Sequence, residues 1–239
     1  MGNAKCDQPV GVFDSGVGGI SVLKELYQVM PQEHYIYFGD SKNAPYGTRP
    51  VEEIRSLTIA NVKFLLEQGV KGIVVACNTA TAAAVRTLRG MYPDIPLVGI
   101  EPAVKPAALQ AGHPTILVMA TPMTISGDKY KTLMMRYEQK ADIIGLPCPG
   151  LVEFVETGNT DGADLKVFLE NLLAPYLREI DSIVLGCTHY PFVRRLIQEI
   201  AGERVRIFDG GNGTAREMRR RLKEAGLLSA HEGPGTVTF

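Results

Sequence analysis

Short apolar runs alternate with amphipathic stretches of helical length along almost the whole chain, and this alternation limits what the chain can fold into. The runs fall at residues 10–13, 35–38, 72–76, 97–100, 115–119, 143–146, 183–186 and 205–208. Residues 21–30, 52–68, 79–92, 127–137, 165–178, 192–201 and 214–225 carry the helical pattern between them. A strand buried on both faces reads as an unbroken apolar run, and parallel strands need a long crossover between them. The pattern predicts an α/β fold of parallel sheets built from βαβ units. On the helix over 52–68, Ile54, Leu57, Thr58, Asn61, Leu65 and Gln68 share one face, which makes its apolar stripe a partial one.

The chain also repeats itself. Gly11-Val12-Phe13-Asp14-Ser15-Gly16 and Leu117-Val118-Met119-Ala120-Thr121-Pro122 each carry a strand into a turn of small and polar residues. Each is followed at similar spacing by a cysteine in a matched setting. Ile73-Val74-Val75-Ala76-Cys77-Asn78-Thr79 and Ile183-Val184-Leu185-Gly186-Cys187-Thr188-His189 both run from an apolar strand through a small residue to Cys, then to a polar pair expected to open a helix. Both thiols should stand at the C-terminal edge of a parallel strand, where open α/β sheets bind ligands. Two similar lobes, each a mostly parallel sheet flanked by helices and facing the other across a cleft, account for this duplication. A single sheet is the alternative.

Composition excludes several classes. Net charge is −1 over 239 residues, so no strong positive field draws the chain to nucleic acid. The run Arg219-Arg220-Arg221-Leu222-Lys223 reads as a solvated helix face. The apolar runs are strand-sized rather than membrane-sized, and the first ten residues do not resemble a leader, which points to a cytoplasmic protein without a membrane partner. Four cysteines without a dense framework fit a reducing compartment. Cys6 and Cys148 lack the setting of the other two and read as inert small side chains. His34, His113 and His231 likewise stand outside any motif.

Asp14-Ser15-Gly16-Val17-Gly18-Gly19 joins the first strand to a helix, with neither dinucleotide nor Walker spacing. Asp14 would repel a phosphate, whereas a ligand carrying an ammonium and a carboxylate fits: Asp14 toward the amine, Ser15 and loop N–H groups toward the carboxylate. A helix cap by Asp14 or Ser15 is an equal reading. Asn78-Thr79 and Thr188-His189 offer carboxylate donors beside each thiol, although either alone reads equally as an ordinary cap and turn, and His189 can exchange a proton next to Cys187. Asn43-Ala44-Pro45-Tyr46-Gly47-Thr48 forms a Pro/Gly loop that either presents its backbone and the Tyr46 ring to a ligand or packs as a surface turn. No Cys-x-x-Cys or His-x-His supplies a metal set.

Inverting a carbon stereocentre requires removing a proton from one face and returning one to the other. Two thiols on opposite sides of a substrate suit that task, since a free thiol titrates near ~8.5 and helix N-termini lower it.

Through Phe13-Asp14-Ser15-Gly16-Val17-Gly18-Gly19, Tyr37-Phe38-Gly39-Asp40, Ala44-Pro45-Tyr46-Gly47, Ala76-Cys77-Asn78-Thr79-Ala80-Thr81 and Leu185-Gly186-Cys187-Thr188-His189-Tyr190-Pro191, the chain resembles the glutamate racemases. The resemblance implies a cofactor-independent isomerase with neither PLP nor metal, making D-glutamate for bacterial peptidoglycan as a homodimer. It implies Cys77 and Cys187 as proton-transfer groups, assisted by Asp14, His189 and a glutamate after Cys148-Pro149, which is Glu156 or, one turn away, Glu153. It implies glutamate-binding positions at Asp14, Ser15, Pro45, Tyr46, Gly47, Asn78, Thr79, Thr121, Thr188 and His189, with Thr124 paired to Thr121. The lobes are expected at residues 1–98 plus 210–239, and 99–209. The chain departs from the family pattern in its shorter C-terminal end and in Asp209-Gly210-Gly211. A related racemase, for aspartate for instance, and a non-catalytic two-lobed amino-acid-binding protein are the alternatives.

Overall fold

The computed structural model describes residues 5–239. Strands β1 (Val10–Asp14), β2 (Tyr35–Gly39), β3 (Gly72–Val75), β4 (Leu97–Gly99) and β9 (Val237–Thr238) form one five-stranded sheet in the order β4-β3-β1-β2-β9. Strands β5 (Thr115–Ala120), β6 (Asp142–Pro147), β7 (Ser182–Leu185) and β8 (Arg206–Asp209) form a four-stranded sheet in the order β6-β5-β7-β8. Every pairing is parallel. The α/β fold with two parallel sheets expected from the alternation is the fold the chain adopts.

The sheets repeat one topology. In each, the first strand lies between the second and the third, and the fourth lies outside the third; β9 is an addition to the edge of the first sheet. The order reverses between β1 and β3 and between β5 and β7, which puts a ligand-binding crevice at the carboxyl ends of those strands in both sheets. Register sharpens the match: Phe13 pairs with Val75 and Met119 with Leu185. Cys77 and Cys187 each follow two residues after the last residue of the third strand, in equivalent places.

Both faces of each sheet are covered, which is why the strands read as continuous apolar runs. Val10, Val12, Val74 and Val98 pack under α1 (Ile20–Val29) and α10 (Gly211–Glu224) through Val22, Leu26, Met218 and Leu222. Phe13, Ile73, Val75 and Leu97 face α2 (Val51–Glu67) and α3 (Asn78–Met91) through Ile54, Val62, Leu65 and Leu88. In the second sheet Leu117, Met119, Ile183 and Leu185 pack against α7 (Leu151–Glu156), α8 (Ala163–Leu173) and α9 (Arg194–Ala201). Ile116, Val118 and Val184 face α4 (Val104–Ala108) and α6 (Asp128–Met135).

Several elements differ from the sequence reading. The buried line of α2 is Ile54, Thr58, Val62 and Leu65; Gln68 is exposed. The register that wins is the one placing Val62 inside, and Thr58 tolerates burial because its hydroxyl donates to the Ile54 carbonyl at 2.7 Å. The stretch 127–137 begins only at Asp128, because Gly127 is extended and separates α6 from a short α5 (Pro122–Ser126). The basic run lies on α10, where Arg220 and Arg221 pair with Glu217 and Leu222 faces the core. The C-terminal segment is held by Tyr35 N–H donating to the Thr236 carbonyl and by His34 Nδ1 2.9 Å from Thr236 Oγ1. Beneath it Lys71 and Glu33 form a buried ion pair, and Glu33 also accepts the Ser229 N–H at 2.8 Å.

Candidate active site

In the first sheet β1 delivers Asp14 to its carboxyl end, and the loop to α1 folds back over it. Neither Asp14 nor Ser15 caps α1, whose N-cap is Gly19 without a side-chain bond. Asp14 instead accepts the Gly16 N–H at 3.0 Å and the Thr188 hydroxyl, from the other sheet, at 3.0 Å. Tyr37 donates its hydroxyl to the Gly16 carbonyl at 2.6 Å and pins the loop from β2. Cys77 is itself the N-cap of α3: its sulfur accepts the Ala80 N–H at 3.4 Å and lies 3.5 Å from the Ser15 hydroxyl. A helix N-terminus therefore points its free N–H groups at this thiol.

The second thiol is held differently. Cys187 follows β7, but Thr188 and His189 lead into a 3-10 turn (Tyr190–Val193) before α9 rather than straight into an α-helix. Pro191 stands at the first positions of that turn, where its missing N–H costs no intrahelical bond. His189 takes the place of the helix end. Its Nδ1 is 3.7 Å from Cys187 Sγ and its Nε2 is 2.5 Å from Glu156 Oε1. The same Glu156 oxygen accepts the Val17 N–H at 3.0 Å. Glu153, one turn earlier on α7, is exposed.

These contacts form a seam between the sheets. Ser21 Oγ lies 2.9 Å from the Thr188 carbonyl and 2.8 Å from that of Gly18. A Cβ on Gly18 would meet the His189 ring and the Thr188 hydroxyl, and one on Gly16 would collide with the Glu156 carboxylate. The glycines serve close approach to the second sheet, a role the sequence did not suggest.

On the other side of the thiols three hydroxyls meet. Thr79 Oγ1 is 3.0 Å from Thr121 Oγ1 and 3.3 Å from Thr124 Oγ1, and Thr121 caps α5 by accepting the Thr124 N–H. Gly47 packs against Thr121. The Tyr46 ring belongs to the core rather than to a cleft: it is buried, lies 6.2 Å from Phe13 between centroids, and donates its hydroxyl to Asp40 at 2.6 Å. Asn61 donates to the same carboxylate at 3.0 Å. Pro45, beside Tyr46, is half-buried. Asn78 is buried at the start of α3.

Charge is distributed unequally over the two thiols. Burial pushes the Cys77 thiol up to about 12, and the nearby Asp14 charge adds to this against the bonds from Ser15 and Ala80. Cys187 also contributes to that rise, so each sulfur lies within the other's field. Burial pushes Asp14 up as well, opposed by the His189 charge, the Gly16 N–H and the Thr188 hydroxyl. His189 behaves in the opposite way. Burial would lower it, but bonds to Cys187 and Glu156 and the charges of Cys187 and Asp14 hold it at about 10. Glu156 is lowered although burial opposes this, because His189 and the Val17 N–H both favour its carboxylate.

The sequence did not single out Ser21, Tyr37 or the Val17 N–H for the site. Tyr37, inside Tyr37-Phe38-Gly39-Asp40, and Val17, inside Asp14-Ser15-Gly16-Val17-Gly18-Gly19, carried a signal only as members of those motifs. Among the described residues no group of three or more His, Cys, Asp or Glu is arranged to hold a metal ion, and no helix is long and apolar enough to cross a membrane.

Comparison with known proteins bears on this geometry. Residues 16–218 match the sequence profile of the Asp/Glu/hydantoin racemase family. A glutamate racemase of Clostridium perfringens is 53% identical over 230 residues, covering 96% of this chain and 88% of that protein. The crystal structure of a glutamate racemase isoform from Bacillus anthracis superposes with a TM-score of 0.86 at 34% identity, covering 96% of this chain and 86% of that one. That of the Escherichia coli glutamate racemase, in complex with L-glutamate and the activator UDP-MurNAc-Ala, gives 0.85 at 32% identity, covering 96% and 89%.

Proposed function

The chain belongs to the Asp/Glu/hydantoin racemase family and is a racemase, an isomerase; from that premise we propose that it interconverts L- and D-glutamate with Cys77 and Cys187 as the two proton-transfer groups. The observation that carries this reading is the equivalent placement of two thiols at the ends of β3 and β7, in sheets of one topology that meet along a seam. Substrate held between them presents one face of Cα to each sulfur. One thiolate takes the α-proton while the other thiol delivers its proton to the opposite face, so the bond to hydrogen breaks on one side and forms on the other. Each turnover leaves the pair with exchanged protonation, ready for the reverse direction.

Cys77, held up to about 12, rests as the thiol. The imidazolium of His189 beside Cys187 compensates negative charge on that sulfur, and Glu156 keeps the ring charged and oriented. Asp14 faces the substrate ammonium. Ser15, Asn78, Thr79, Thr121 and Thr188, with the backbone of Pro45, Tyr46 and Gly47, take its carboxylates. The lobes divide near residue 98 and again near residue 210, with this site between them. Product D-glutamate supplies peptidoglycan synthesis in a bacterial cytoplasm, and the enzyme works as a homodimer without added cofactor.

The test is incubation with L-glutamate in D₂O without added PLP or metal, following optical rotation and α-hydrogen exchange. Wild type should racemise; Cys77→Ser and Cys187→Ser should each lose inversion, with exchange surviving only for the enantiomer whose base remains. Conversion of aspartate with glutamate untouched would overturn the substrate. Inversion by either single variant at the wild-type rate would overturn the two-thiol mechanism.

A further inference from the structure

A polar residue interrupts the apolar stripe of α2. Asn61 shares a face with Ile54, Thr58 and Leu65, yet its Nδ2 donates to Asp40 Oδ2 at 3.0 Å and lies 3.1 Å from the Tyr46 hydroxyl. That hydroxyl donates to the same Oδ2 at 2.6 Å, so three side chains close a triangle. Asn43 Nδ2 adds bonds of 2.9 and 3.1 Å to the two carboxylate oxygens. Asp40 is buried, and these donors are all neutral. Burying a carboxylate in such company costs more than packing an apolar residue on α2 would. A local rule broken inside a fold points to a functional site. The Asp40 N–H is tied to the Asp14 carbonyl at 3.0 Å, at the end of β1. The carboxylate therefore fastens the loop between β2 and α2 both to α2 and to the strand that carries Asp14. Farther along that loop Tyr46 shares its core with Cys77, and Gly47 packs against Thr121.

We propose that Asp40, assisted by Asn61, is a positioning residue for substrate binding, which sets the place of the Pro45-Tyr46-Gly47 backbone beside Cys77. The proposal rests on the reading of that backbone as glutamate-binding. Tyr46 is the link between the two. Burial and the Asp40 carboxylate push its phenol up, so it stays protonated and donates. A carboxylate can accept from Tyr46, Asn61 and Asn43 together, because it has two oxygens and no hydrogen to turn toward them. An amide at the same place offers one oxygen and sets an NH₂ against a donor. The loop would then settle elsewhere, and its backbone would meet substrate and transition state less well by the same amount.

The experiment is steady-state kinetics with L- and D-glutamate on Asp40→Asn, Asn61→Leu and the double variant, with thermal melting alongside. Asp40→Asn should raise KM for both enantiomers by roughly ten- to hundredfold, with kcat within about threefold of wild type. Asn61→Leu continues the apolar stripe of α2 and keeps the fold; it should raise KM by roughly three- to tenfold. In the Asp40→Asn background Asn61→Leu should change KM by no more than about twofold, because its effect passes through the carboxylate. An unchanged KM in Asp40→Asn would overturn the proposal. So would a fall in melting temperature with the loss confined to kcat, the mark of a network that only stabilises the fold. A full Asn61→Leu effect without the carboxylate would overturn it as well. Wild type inert toward glutamate would instead remove the reading of the loop on which the proposal rests.

Discussion

The first and second lobes bring a cysteine to the same place in the same topology and then surround it with opposite charge. At the end of β3 the sulfur caps a helix and has a carboxylate, Asp14, for its charged neighbour. At the end of β7 a 3-10 turn replaces the helix, and the charged neighbour is an imidazole tied to a glutamate. A duplicated scaffold thus provides symmetry of position, and a few side chains after each strand remove symmetry of charge around the sulfurs. A reaction needing one thiol and one thiolate at a time requires both.

Thermodynamics restricts how this difference can be observed. Enantiomers have equal free energy in water, so kcat/KM must be the same in both directions for any variant. The asymmetry can appear only in kcat and KM taken separately, or in exchange without inversion. The largest effects should come from removing the charged neighbours. His189→Asn and Asp14→Asn should each lower kcat/KM by roughly 10²–10⁴-fold, as loss of an acid/base partner does. The two should differ in which enantiomer still exchanges its α-hydrogen in D₂O; identical patterns would show that the charge difference does not matter.

Next in size is pH dependence. His189 is held at about 10 when folded, against ~6.5 unfolded. Its contribution to stability is therefore complete below pH ~6.5 and is lost as pH rises through about 10. Denaturant midpoints measured from pH 6 to pH 10.5 should fall more in wild type than in His189→Asn. Glu156→Gln removes the carboxylate that helps hold the ring charged, so the alkaline limb of kcat/KM should move to lower pH. A limb that stays in place would exclude His189 as its origin.

Smaller again is Ser21→Ala, which removes the hydroxyl within reach of the Thr188 carbonyl across the seam. One neutral hydrogen bond of about 1 kcal/mol predicts KM for glutamate raised by severalfold with little change in melting temperature. Smallest is Glu153→Gln, exposed, with the His189 contact made by Glu156 instead, which should leave kcat/KM and stability within about 0.5 kcal/mol of wild type. A large loss there would make Glu153, not Glu156, the assisting carboxylate.

What was legible in the sequence follows the range of the physics. Strands buried on both faces leave a local trace, so all eight apolar runs became strands, with ends shifted by a residue or so. The two-residue β9 leaves none; it exists because the edge of β2 offers unpaired backbone groups to Val237 and Thr238. The cysteine settings were visible as motifs, but not the turn that replaces a helix after Cys187. The destination of Tyr46 was open, because a tyrosine in a Pro/Gly loop fits either a cleft or a core. Asp40 and Asn61, brought by β2 and α2, decide for the core. The meeting of Val17 with Glu156 depends on how two sheets sit against each other, and no local pattern encodes that.

The chain leaves the first sheet after β4 and returns to it after β8. The two connections touch: a Cβ on Gly210 would lie 2.5 Å from the Glu101 carbonyl oxygen. Two bodies fastened at a pair of adjacent points cannot be drawn apart or twisted freely; the easy motion is rotation about a line through the fasteners, as for a door on its pins. Any such swing has to part the contacts of Val17 with Glu156 and of Ser21 with Thr188, and a cut in one connection alone would leave the door hanging from the other.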